Sequence, residues 1–180
     1  TALFDINHWL CLISADINVP EFDTLQFTCE QLLNEHNIPM ERRITYYFNL
    51  SIVYHKKKDY KTEERYLQTF LKERKHALLP FLFWYIHNQR LQNKPIDAIL
   101  SNNYQVNDCS KQLQALWRFY ELLPHVEPKI AQQYLMKTCL PILSALAVEF
   151  QVVFLHELQL LITETRNYKD LLFYMKYLKL

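Results

Sequence analysis

Not one of the 180 residues is glycine, where average usage of about 7% would supply roughly a dozen. Glycine provides the positive φ that tight hairpins need, and it lets a backbone close on a phosphate. Its absence disfavours an antiparallel β protein. It also excludes a Gly-rich phosphate loop, a dinucleotide fingerprint, a nucleophile elbow and a calcium loop with its turn glycine. Helix remains. Apolar residues recur at helical spacing on nearly every segment, predicting helices over 2–13, 20–35, 39–57, 60–75, 77–92, 95–102, 109–122, 127–139, 141–164 and 167–179. Pro20, Pro39, Pro95, Pro128 and Pro141 stand where a helix can begin, since a first turn tolerates proline. Asn18, Asp59, Asn107 and Asn167 can cap or turn. The linkers are short and none is of low complexity, so the expectation is one all-α domain over residues 1–180.

Half of the residues are hydrophobic and the net charge is +1, which suits a compact domain or a short solenoid with an ample core. A charge so close to zero speaks against nucleic acid as the partner of this domain. The charges are unevenly laid out: the first 38 residues hold six acids and no Lys or Arg, whereas residues 39–76 hold ten basic and five acidic side chains. Lys56, Lys57, Lys58 and Lys61 read in two ways. They are a solvated helix end, where the helix dipole favours cations, or they attract an acidic segment or a terminal carboxylate.

Cys11, Cys29, Cys109 and Cys139 lack the two-residue spacing of a zinc knuckle or redox motif. They read as small buried hydrophobes in a reducing cytoplasm. The longest apolar run, Cys139 to Phe154, is broken by Ser144, Glu149 and Gln151. It falls short of the about 20 residues that cross a bilayer, and predicts a buried helix with no membrane contact. The opening residues are amphipathic and do not form a signal peptide. Because the first residue is Thr1, the chain is expected to be a piece of something longer that carries an upstream domain.

Motifs for chemistry are sparse. His156-Glu157 begins like the H-E-x-x-H pattern of zinc proteases, but position 160 is leucine, so the second imidazole is missing. The other histidines pair with no cysteine or carboxylate by spacing, and Asp108-Cys109-Ser110 reads as a helix start. The expectation is therefore a non-enzyme with no catalytic residue, metal ligand or cofactor.

Residues 45–71 form an aromatic-rich amphipathic helix, a polar break at Lys57-Lys58-Asp59 and a second amphipathic helix. Tyr47, Asn49, Leu50, Tyr54, Asp59, Tyr60, Tyr66 and Leu71 stand where a tetratricopeptide (TPR) unit prefers such residues, and the stretch resembles that helix hairpin of about 34 residues. It departs from the pattern at Ser51, which stands for Gly, and at Glu63 and Phe70, each of which replaces a small residue. Weaker echoes follow. Lys94 to Ile99 comes after Phe83-Trp84-Tyr85, and Lys129 to Leu135 comes after Trp117-Arg118-Phe119-Tyr120. Leu158, Ile162, Asn167-Tyr168, Leu171-Leu172 and Tyr174 repeat the strong hairpin's spacing. The resemblance implies a TPR-like right-handed superhelical solenoid of stacked hairpins.

In peptide-binding domains of that kind an asparagine at the place of Asn49 grips the ligand backbone or C-terminal carboxylate. An amide suits this because it both donates and accepts. The resemblance thus implies a peptide groove of Phe48, Asn49, Ile52, His55 and Lys56, with Asn88 and Arg118 as further contacts. The plainer reading has Asn49 bonding across the helix pair, with Phe48 in the core. A glycine-free, degenerate TPR array also resembles the C-terminal domain of Rgg- and PlcR-type quorum-sensing transcription regulators, and the phage arbitrium receptors. It implies a cytoplasmic homodimer that senses a short peptide and reaches DNA only through a separate domain. A TPR adaptor that docks a protein without peptide signalling is the alternative. Apolar residues on almost all sides of Leu171 to Leu180 suggest the dimer contact.

Overall fold

The computed structural model describes residues 21–35, 37–73, 79–101, 106–146 and 148–167. Among these there is no strand, as the missing glycines predict. The helices are α1 (Glu21–Leu33), α2 (Met40–Lys56), α3 (Tyr60–Glu73), α4 (Leu79–Leu91), α5 (Asp97–Leu100), α6 (Lys111–Leu122), α7 (Pro128–Tyr134) and α8 (Val148–Thr165). No helix among the described residues is long and apolar enough to cross a membrane. The expected first helix, the echo beyond Asn167 and the dimer contact at Leu171 to Leu180 lie outside the described residues. The chain packs as two compact units, Thr1–Pro95 and Ile96–Leu180.

In the first unit each helix runs back along the one before it. Lys57 Nζ at the end of α2 reaches Asp23 near the start of α1 at 2.6 Å, while Tyr54 shares Gln26 and Glu30. Arg43 pairs with Glu73 at 3.0 Å at one end of the α2–α3 hairpin, and His55 meets Glu63 at the other. Gln68 Nε2 donates to Tyr85 Oη at 3.1 Å, and Asn88 Nδ2 donates to the Tyr60 carbonyl at 2.9 Å, so α4 reverses again. Two reversals make α2 and α4 parallel neighbours. Phe48 packs on Phe81 at 4.9 Å and on Trp84 at 5.7 Å between ring centroids, and His55 packs on Trp84 and His87. Leu50, Val53, Leu67, Phe70, Phe83 and Ile86 are buried along these helices.

The tight α2–α3 turn works without glycine. Lys58 takes the left-handed conformation at φ 58°, its N–H bonding the His55 carbonyl at 3.0 Å while Asp59 N–H bonds that of Tyr54. These are the two bonds of a Schellman stop. Asn93 closes α4 identically, at φ 55°, through Asn93 N–H to Arg90 and Lys94 N–H to Gln89. The Asp59 carboxylate then accepts from Thr62 N at 3.2 Å and starts α3.

The second unit repeats the scheme. Ser110 caps α6 by accepting from Leu113 N at 3.3 Å. Tyr134 Oη on α7 donates back to the Ala115 carbonyl on α6 at 3.1 Å, and Thr165 at the end of α8 donates to Gln132 on α7 at 2.7 Å. Phe119 and Tyr120 of α6 pack on Phe154 of α8 at 6.2 and 5.7 Å. Two segments differ from expectation. The predicted helix 95–102 contracts to α5. The predicted break between 139 and 141 is absent: the chain continues from α7 through a π-helical turn, Leu135–Cys139, and a 3-10 segment, Leu140–Ala145. Pro141 offers no N–H and its ring crowds the preceding turn's carbonyl, so the ladder widens before it and tightens after it. The real stop is Leu146, in extended backbone with ψ 151°.

Candidate functional site

The α2 face expected to line a groove turns inward. Phe48, Ile52 and His55 are buried, and Phe48 is enclosed by Phe70, Phe81 and Trp84. Asn49, 5% exposed, turns to α1, where its side chain hydrogen-bonds Cys29. Burial pushes the Cys29 thiol up to about 12, with the Asn49 bond opposing and Glu30 adding to it. Asn88 is fully buried. Its amide N–H serves the Tyr60 carbonyl, and its oxygen accepts from Gln89 at 3.1 Å and Gln92 at 2.9 Å. Lys56 is half-buried at the end of α2. Arg118, exposed on α6 of the other unit, pairs with Glu121 at 2.9 Å. Phe48, His55 and Asn88 therefore belong to one seam between α2, α3 and α4, Asn49 faces the α1 side, and Lys56 is the expected contact of this unit that keeps solvent access.

The seam's centre is a residue noted only as a departure from the repeat pattern. Glu63 is fully buried. Its Oε1 accepts Trp84 Nε1–H at 2.8 Å and lies 3.0 Å from His55 Nδ1, while Oε2 has no hydrogen-bond partner among the described residues. Tyr60 packs its ring 5.9 Å from that of His55, and His87 stands 5.8 Å away on α4. At the solvent edge Glu64 gathers Lys94 and Gln92. Burial raises the Glu64 pKa, but hydrogen bonds from Lys94, Gln89 and Gln92 outweigh this and hold it below the usual carboxylate value.

Two signals could have found this centre. Glu63 is an acid on the apolar stripe of an amphipathic helix, where it must be satisfied by neighbours. His55 and His87 are 32 residues apart, a spacing no short metal motif covers. On α8, His156 is half-buried and Glu157 fully buried, with Leu160 where the protease pattern needs an imidazole.

Comparison with known proteins gives no match: neither a protein family, nor a curated protein, nor a solved structure aligns with the chain.

Proposed function

We propose that the chain is a helical-repeat module that captures a peptide, as the sensing domain of an Rgg- or PlcR-type regulator does. One observation supports this above others: helices two apart are parallel and meet at a repeat-length offset. Phe48 meets Phe81, His55 meets His87, and in the second unit Tyr120 meets Phe154. The intervals are close to the about 34 residues of a TPR unit. Hairpins stacked at that period generate an extended concave surface, and such surfaces bind peptides and protein segments. In this reading Phe48, Asn49, Ile52, His55 and Asn88 stiffen the wall from within. Ligand contact in the first unit passes to Lys56 and the exposed Lys58 and Lys61, whose cations suit a carboxylate. DNA would be reached through a separate domain.

The basic turn also suits the second reading, an adaptor for an acidic protein segment. Panning a random peptide library against the immobilised chain tests both. Enrichment of short sequences with a free C-terminus, bound at least tenfold more weakly by Lys56→Glu, is expected for peptide capture. Enrichment of internal acidic segments favours the adaptor. Failure to enrich any sequence would sink both.

A further inference from the structure

Glu63 poses a problem of charge that peptide capture does not solve. A carboxylate removed from water needs a compensating cation close by. Its Oε1 is held by Trp84 and His55, and its Oε2 has no hydrogen-bond partner among the described residues. Trp84 can donate but cannot carry charge; His55 can, as an imidazolium or as the ligand of a metal ion. The second option is favoured by a second imidazole packed against the His55 ring. A ring nitrogen of His87 lies within 4.8 Å of one of His55, and the two rings are 8% and 1% exposed. Two nitrogens sharing a tetrahedral zinc at about 2.0–2.1 Å would be roughly 3.3 Å apart, a distance that small ring rotations within that limit can reach.

We propose that His55 and His87 supply two ligands of a buried site for a divalent transition-metal ion of the zinc class. In the proposed site Glu63 accepts the Nδ1–H of His55, 3.0 Å away, the metal is bound through the other ring nitrogen, and a carboxylate stands behind the imidazole. Carboxylates backing metal-bound histidines act in this way, fixing the ring and raising its basicity. The site joins α2 to α4 and turns a costly buried acid into the orienting group of a cation. It also gives a reason for Glu63 to occupy a small-residue position. The inference stands apart from peptide capture, since it concerns the interior of the hairpin stack.

Chelator-stripped chain, titrated with Zn²⁺ and separately with Co²⁺, tests it. One equivalent of zinc retained through gel filtration is expected, with a higher Tm and Co²⁺ quenching of the fluorescence of Trp84, whose ring is 5.4 Å from that of His55. His55→Gln and His87→Gln should each weaken zinc at least a hundredfold, and Glu63→Gln ten- to a hundredfold. X-ray absorption of the zinc-loaded unmodified chain needs no variant to fold, and should show imidazole scattering. Absence of stoichiometric uptake at ~10 μM metal would overturn the proposal, as would a purely oxygen coordination sphere. Uptake undiminished in folded His55→Gln and His87→Gln would assign the ion to surface histidines and overturn it equally.

Discussion

Lys58 and Glu63 hold a conformation and an environment that their chemistry resists. Lys58 sits at φ 58°, where a side chain crowds its own backbone at a cost of about 1–2 kcal/mol. It stays there because the α2–α3 turn needs a left-handed residue and the chain has no glycine to offer. Lys58→Gly should therefore stabilise the first unit by about 1 kcal/mol, read as a higher urea midpoint with unchanged slope. The same change at Asn93 should gain less, since asparagine tolerates this region better. Glu63 is the opposite case, a costly residue on which neighbours depend. Glu63→Ala would leave Trp84 Nε1–H without its acceptor in the core and remove the partner of His55 Nδ1. A loss of about 3 kcal/mol is expected, seen in urea unfolding of metal-free chain. A change below about 0.5 kcal/mol would mean that the seam is not held by this carboxylate.

At the level of elements, local chemistry sets most boundaries. Ser110 caps α6 from an exposed position, so Ser110→Ala should cost about 1 kcal/mol, and amide exchange at Leu113 should quicken first. The predicted spans 39–57 and 60–75 lie close to Met40–Lys56 and Tyr60–Glu73, because Pro39 and Asp59 act within a turn of themselves. Pro141 misled for a reason of a different range. Leu135, Cys139, Leu140 and Leu143 are all buried, so packing on both sides of the proline keeps the chain helical, and the strain emerges as a π turn and a 3-10 segment. The site was legible to the same limit. That Glu63 broke the repeat pattern was visible, but its partners His55 and Trp84 come from two other helices. Asn49 was visible as a polar residue on a packed helix; nothing local told whether it faced a ligand or Cys29.

Across the whole molecule, the same arrangement recurs in each unit: a helix, its antiparallel return, and a third helix laid beside the first. Each unit also buries a thiol, Cys29 in one and Cys139 in the other, 1% and 0% exposed. Burial pushes both pKa values up to about 12 from 9.0. The unfolded chain loses these protons above pH 9, whereas the folded chain keeps them until about 12. Above pH 9 the unfolded state thus binds fewer protons than the folded one, and stability falls as pH rises. Each thiol should contribute a slope of about 1.4 kcal/mol per pH unit within that window and none at neutral pH. Tyr54, raised to about 12 by burial and by Glu30, adds in the same direction from pH 10. Urea midpoints at pH 7, 9 and 10 separate these contributions. Cys29→Ala and Cys139→Ala should each lose some stability at pH 7 by leaving a small cavity, yet each should flatten the decline between pH 9 and 10 by the share of one thiol. A decline equally steep in both variants would place the alkaline sensitivity in groups other than these two cysteines.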